Sequence, residues 1–264
     1  MASNILKNIV ITGATSGIGH ALALNYAQKN VVMGLIGRDA SRMAQVAAAC
    51  RAKGAQVETA LIDVRDAAAM SEFLVAFDAR YPVDCLIANA GVNIGTAADG
   101  ALEDAAKAVD LIHINFCGVL NTVHPLLASM RARRAGQIGI VSSLSAFTPL
   151  PDAPSYSASK AALLAYACAL REKVRLDGVR VNAICPGFIT TPLSKTYIGW
   201  KPFEISAEQA AIRIRNGLAA NRAVISFPLI LNFVAHSLGY VPGPLFRQCL
   251  KLFRFTVADT RTRL

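Results

Sequence analysis

Two periods of apolar and polar residues alternate along the chain. Residues 8–12 are a short β-branched run that reads as a buried strand, and 17–29 carry the longer period of a helix. Residues 31–36 are strand-like again. An alanine-rich helical stretch at 40–53 stops at Gly54, and 56–62 form the next strand. The same alternation predicts strands at 85–88, 137–141 and 179–184. Strands separated by helices of this length make right-handed βαβ units around a parallel sheet. No repeat or low-complexity linker interrupts them, so the expectation is a three-layer, doubly wound α/β fold.

Beyond Gly187 the pattern changes. Residues 188–205 hold Pro192, Gly199 and Pro202 and read as a loop or lid. Ser206-Ala-Glu-Gln209 has the form of a capping box opening a helix to about Leu218. Residues 224–227 make a seventh strand, and short apolar helices are expected at 228–238 and 244–255. The division that follows is a catalytic domain over 1–227, with its lid at about 188–218, and a basic, apolar helical extension over 228–264.

Composition narrows the class. The 264 residues are 54% hydrophobic and 17% charged, which excludes disorder. Net charge is +10, and residues 195–264 hold ten basic side chains against three acidic ones. A basic quarter suggests an anionic neighbour such as a membrane surface, nucleic acid or an acidic ligand, or else a solvated basic face. The six cysteines form no C-x-x-C pair, so neither a disulfide framework nor a metal site is expected. Strand-like sequence from about Ile9 leaves no room for a signal peptide, and a reducing, cytoplasmic setting follows.

Candidate chemistry begins where the first strand meets the first helix, in Thr12-Gly13-Ala14-Thr15-Ser16-Gly17-Ile18-Gly19. Glycines there let the backbone turn tightly beside a pyrophosphate, and the helix N-terminus offers N–H groups to the anion. Gly13, Thr15, Ser16, Gly17, Ile18 and Gly19 are therefore dinucleotide-binding candidates, against the plainer reading of an ordinary strand–helix turn. Further on, Tyr156 and Lys160 stand one helical turn apart. They form either a surface pair or a phenol whose pKa a neighbouring cation lowers for acid–base work. Ser143 lies thirteen residues before Tyr156, at the carboxyl edge of the sheet where ligands bind.

Taken together, Thr12–Gly19, Asn89-Ala90-Gly91, Asn115, Ser143, Tyr156, Lys160 and Pro186-Gly187 resemble the short-chain dehydrogenase/reductase family over about residues 7–192. The resemblance implies a Rossmann-like fold and NAD(P)-dependent exchange of hydride between nicotinamide and a carbonyl or alcohol. It implies that Tyr156 gives the proton and Ser143 holds the substrate oxygen. Lys160 would hold the nicotinamide ribose and depress the Tyr156 pKa, with Asn115 positioning a relay water. Asn89, Ala90 and Gly91 would border the cofactor, Asp63 and Val64 the adenine. Pro186, Gly187, Ile189 and Thr191 would meet the nicotinamide. Ser142 and Ser145 read as structural, and no metal is implied.

The second strand bears on the cofactor. An acid at its end would bind the ribose hydroxyls of NAD and repel a 2′-phosphate, but Gly37 stands there and Arg38 follows. NADP is the expectation, with NAD second. The tail departs from the glycine-rich end that builds tetramers in many members, so a homodimer is expected instead. Arg247, Lys251 and Arg254 recur on one face of the last expected helix, as in an interfacial helix. Residues 223–246 lack charge, yet prolines and polar residues interrupt them, so no span is expected. The reading is a carbonyl reductase or alcohol dehydrogenase for a hydrophobic or lipid-linked substrate, with peripheral membrane contact and no nucleic-acid partner. The alternative is a non-catalytic dinucleotide-binding regulator or assembly protein.

Overall fold

The computed structural model describes residues 6–96, 101–238 and 255–257. The chain runs β1 (Asn8–Thr12), α1 (Gly17–Tyr26), β2 (Val32–Gly37), α2 (Ala40–Ala52), β3 (Gln56–Leu61), α3 (Ala67–Arg80) and β4 (Cys85–Ala88). Then come α4 (Ala105–Ile112), a π turn (His113–Cys117), α5 (Gly118–Ala132), β5 (Gly136–Val141), α6 (Pro154–Val174) and β6 (Val179–Pro186). β7 (Ile189–Thr190), β8 (Tyr197–Gly199), β9 (Ile205–Ser206), α7 (Ala207–Ala219), β10 (Val224–Phe227), α8 (Leu229–Leu238) and β11 (Phe255–Val257) complete it.

Seven strands form one sheet in the order β10-β6-β5-β4-β1-β2-β3, every pair parallel. Parallel strands covered on both faces are apolar throughout. In β1, Ile9 and Ile11 join Leu22, Met43, Val46 and Ile214 on one face, while Val10 joins Leu74, Phe77, Leu126 and Leu163 on the other. The sheet grows outward through β2 and β3, then restarts at β4 on the opposite side of β1. All carboxyl ends therefore lie on one edge, with a crevice between β1 and β4.

Four helices cap themselves. Asp39, Asp66, Asp104 and Ser206 each accept the N–H three residues on, opening α2, α3, α4 and α7, and Ser206 with Gln209 completes the expected capping box. α1 and α6 have no such side chain. The helical run Ala105–Ala132 is long and apolar enough to cross a membrane, but α5 packs against α3 and its apolar face is in the core.

Several expectations need correcting. The first helix ends at Tyr26, because residues 28–30 turn and Asn30 adopts positive φ to enter β2. The segment read as loop holds β7, β8 and β9; β7 pairs with β9. Phe255, expected to end the last helix, instead opens a strand, Phe255–Val257, antiparallel to β8, and the rest of that expected helix lies outside the described residues. The proposed basic face of Arg247, Lys251 and Arg254 lies outside the described residues. α8 follows β10 directly and packs on it, and Thr148 Oγ1 donates to the Ala235 carbonyl at 2.6 Å.

On the α3 side, Asp78 is buried and accepts Val83 N at 2.7 Å and Arg133 Nη1 at 2.9 Å. Burial alone would raise its pKa, but bonds from Ser129, Val83 and Arg133 outweigh that and hold it below the usual carboxylate range. Its stabilising contribution is present above that range and lost as pH falls through the lowered value. Asp78→Ala removes the counter-charge of the half-buried Arg133 and leaves the Val83 N–H without its acceptor, at a cost of about 3 kcal/mol. Urea midpoints should show that loss near pH 7 and a shrinking gap below about pH 4.

Candidate active site

At the β1–β4 crevice the two strand ends diverge, and side chains replace the lost ladder. Thr12 Oγ1 accepts the N–H of Asn89 at 3.0 Å and of Ala90 at 3.1 Å. Asn89 Nδ2 donates to the carbonyls of Thr12 at 3.0 Å and Gly13 at 3.3 Å. Between them the glycine turn makes a cradle that side chains would fill. Gly13 and Gly17 have φ of +66° and +53°, and a Cβ on Gly19 would stand 2.2 Å from the Gly13 carbonyl oxygen. The N-terminus of α1 keeps its N–H groups free of any side-chain cap. This cradle fits a dinucleotide pyrophosphate.

Ser143 extends past β5, where its Oγ accepts Ser145 N at 3.1 Å and stands near enough to the Tyr156 phenol to oppose the rise in its pKa. Tyr156 and Lys160 occupy the first turns of α6. Lys160 Nζ donates to the Val141 carbonyl at 3.0 Å and lies 5.5 Å from the centre of the Tyr156 ring. Ser142 Oγ donates to the Lys160 carbonyl at 2.6 Å, tying β5 to α6. Asn115, in the π turn, accepts Val92 N at 2.8 Å and donates to Val92 O at 3.0 Å and Ser159 Oγ at 3.1 Å. Both amide hydrogens are used, the oxygen accepts one bond, and the side chain is buried.

Burial overturns the expected lowering of the Tyr156 pKa by its neighbour. Burial pushes the phenol up to about 12, against the smaller opposing effect of Ser143. Burial likewise pushes Lys160 down to about 8. In each case desolvation penalises the charged form. Tyr156 therefore stays protonated through neutral pH.

At the other end of the crevice, Arg38 Nη1 reaches Asp63 Oδ2 at 3.2 Å. Arg65 holds the same carboxylate more firmly, through Nε at 3.1 Å, Nη2 at 2.8 Å and its backbone N–H at 2.9 Å. Burial would raise the Asp63 pKa, but Arg65 and then Arg38 hold it at about 2.

One cavity of roughly 250 Å³ gathers Gly13, Ser16, Gly17, Ile18, Asn89, Ala90, Gly91, Ser143, Tyr156, Lys160, Pro186, Gly187, Ile189 and Thr191. Thr15, Gly19, Arg38, Asp63, Val64 and Asn115 lie outside its wall. Thr15 sits instead against Gly37, whose added Cβ would come within 2.7 Å of it. The far half of the cavity is formed by residues that the motifs do not mark. Thr148, Leu150, Phe188, Leu193 and Tyr197 contribute, with Leu231, Val234 and Ala235 from α8. Tyr197 packs with Tyr156 around Ala153, and its buried phenol is raised well above the ordinary tyrosine value. The i, i+3, i+4 spacing of the three α8 residues is the signal that could have marked them.

The short chain dehydrogenase family profile matches residues 7–201. An uncharacterized oxidoreductase of Myxococcus xanthus is 32% identical, over 96% of this chain and 100% of the relative. L-Sorbose reductase from Gluconobacter frateurii, complexed with NADPH and L-sorbose, has a TM-score of 0.73 at 26% identity, over 86% of this chain and 95% of that one. A variant of actinorhodin polyketide ketoreductase with NADPH has a TM-score of 0.75 at 25% identity, over 88% and 99%. The chain belongs to the short-chain dehydrogenase/reductase family and is an NAD(P)-dependent oxidoreductase acting on CH–OH or carbonyl groups.

Proposed function

We propose that the protein is an NADP-dependent reductase of an apolar or lipid-linked ketone. The observation that carries this reading is the protonated Tyr156–Ser143 pair, set where the dinucleotide cradle opens into a chamber walled by Leu144, Leu150, Phe188, Leu193, Leu231 and Val234. The bound cofactor supplies the hydride. Ser143 and Tyr156 hold the carbonyl oxygen, and Tyr156 gives it a proton as negative charge develops there. Lys160 holds the nicotinamide ribose, and Asn115 orders a relay water through which Tyr156 is reprotonated. Pro186, Gly187, Ile189 and Thr191 orient the nicotinamide. The two NADPH-complexed neighbours are named for a sugar and for a polyketide. Substrate choice therefore comes from the chamber lining, and here that lining is apolar.

The preference for NADP rests on Arg38. Its guanidinium side chain is 45% exposed and meets Asp63 through a single 3.2 Å contact. Arg65 keeps Asp63 paired, so Arg38 can turn to a 2′-phosphate without stranding a carboxylate. Asp63 and Val64 then border the adenine. On the outer face of α8, Leu229, Ile230 and Phe233 are exposed, and the last quarter of the sequence is basic. That combination supports reversible contact with an anionic membrane from which a lipid-linked ketone would enter.

Three outcomes test this reading. Steady-state kinetics with NADPH and β-keto esters of growing chain length should show kcat/KM rising about fourfold per added methylene until the chamber fills; preference for small polar ketones would overturn the substrate class. Tyr156→Phe should cut turnover on the order of 10²–10⁴-fold while leaving NADPH binding intact. Arg38→Asp should raise the Michaelis constant for NADPH and lower the ratio of NADPH to NADH efficiency by on the order of tenfold or more, since one charge-assisted contact is replaced by repulsion. An unchanged ratio would remove Arg38 from cofactor choice.

A further inference from the structure

We propose that Glu103 is a positioning residue for Tyr156, capping from a distant loop the helix that carries the catalytic phenol. α6 cannot cap itself. Its N-cap is Ala153, with no side chain able to accept, and Pro154 brings no N–H. The first unsatisfied donor is Ser155 N–H, one residue before Tyr156. Glu103 Oε2 accepts that N–H at 3.1 Å, and the Ser155 hydroxyl donates to the same oxygen. The two residues are 52 positions apart.

The surrounding contacts make this a clamp on the catalytic turn. Asp104, next to Glu103, caps α4 by accepting Lys107 N at 2.9 Å, and α4 packs on α6. One two-residue corner thus fixes the starts of two touching helices. Thr96 N donates to the Asp152 carbonyl at 2.8 Å, holding the chain as it enters α6. Further along the helix, Ser159 Oγ donates to the Tyr156 carbonyl at 2.7 Å and accepts from Asn115. The turn that bears Tyr156 is therefore held by Asn115 through Ser159 on one side and by Glu103 on the other. A carboxylate at a helix N-terminus makes a charge-assisted bond and meets the positive end of the dipole. The other Glu103 oxygen is buried with no hydrogen-bond partner among the described residues, so within them this cap is the hydrogen bonding that compensates the buried carboxylate. A glutamine can accept through its single oxygen and keep the same two bonds.

The inference rests on Tyr156 being the proton donor, and the test separates the two. Glu103→Ala and Glu103→Gln are compared with wild type for kcat and KM on a β-keto ester, NADPH affinity by calorimetry, and hydrogen exchange of residues 154–158. Glu103→Ala should lower kcat about tenfold to hundredfold, because a small displacement of a catalytic group has effects of that size. The ketone KM should stay within about threefold and NADPH affinity should be unchanged. Exchange should quicken in the first turn of α6, and Glu103→Gln should restore kcat to within about threefold of wild type. Should Glu103→Ala fail to fold, Ser155→Ala, which keeps the N–H but loses the hydroxyl bond, should show a smaller loss of kcat with NADPH affinity intact. The proposal is overturned if Glu103→Ala keeps kcat within about twofold, if NADPH affinity falls in step with kcat, or if glutamine does not rescue. If Tyr156→Phe proves active, the proton-donor reading has failed, while exchange at 154–158 still decides whether Glu103 caps the helix.

Discussion

The fold has to separate a pair of neighbouring parallel strands at their carboxyl ends without leaving buried backbone groups unpaired. β1 and β4 face this constraint because the sheet changes its direction of growth between them. Thr12 and Asn89 meet it together. One hydroxyl accepts two N–H groups and one amide donates to two carbonyls, so four backbone partners that leave the ladder are satisfied by side chains. The crevice can then stay open, dry-walled and rigid. The glycine cradle on one side and the Gly91–Val92 loop on the other both depend on it, and through Val92 so does Asn115.

From that crevice the path to the chemistry runs through buried polar contacts. Asn115 joins the β4 loop to Ser159, Ser159 joins it to Tyr156, and Ser142 ties β5 to Lys160. Each bond is worth little net, but leaving any partner buried and unpaired is expensive. Such a network fixes one arrangement. Burial has a second effect, since it raises Tyr156 to about 12 and lowers Lys160 to about 8. Both shifts disfavour charge, so the phenol stays neutral through neutral pH and the ammonium holds its proton less firmly than an exposed lysine would.

What the sequence disclosed followed from how local each requirement is. Glycines beside a pyrophosphate and a phenol one turn from an amine must sit at short, fixed spacings, so Gly13, Gly17, Gly19, Tyr156 and Lys160 were legible. Ser206 was legible as a cap for the same reason. The sign of the Tyr156 shift was not, because adjacency in sequence reports the cation and says nothing of the desolvation that outweighs it. Tyr197 and the inner face of α8 stayed hidden because they reach the cavity through loops without motif. The pairing of Phe255–Val257 with β8 joins residues far apart in the chain, and no local pattern could distinguish that strand from the end of a helix.

The two halves of the site are therefore built under different rules. The cofactor half is backbone and glycine, where an added methyl group collides with main chain, so its shape allows little variation. The far half is side chain on short strands and a single helix, with Leu231, Val234 and Tyr197 among its walls. Apolar walls also explain why the far half can be large without bonds to satisfy. α8 is held to the catalytic side by Thr148 and by close approach to Gly187, where an added Cβ would stand 3.1 Å from Pro228. The element that shapes the substrate chamber is thus fastened to the loop after Ser143 and to the turn after β6. Any movement of α8 must also disturb the loop after Ser143 and the turn that carries Pro186 and Gly187, so the far wall of the cavity cannot shift independently of the sheet edge it faces.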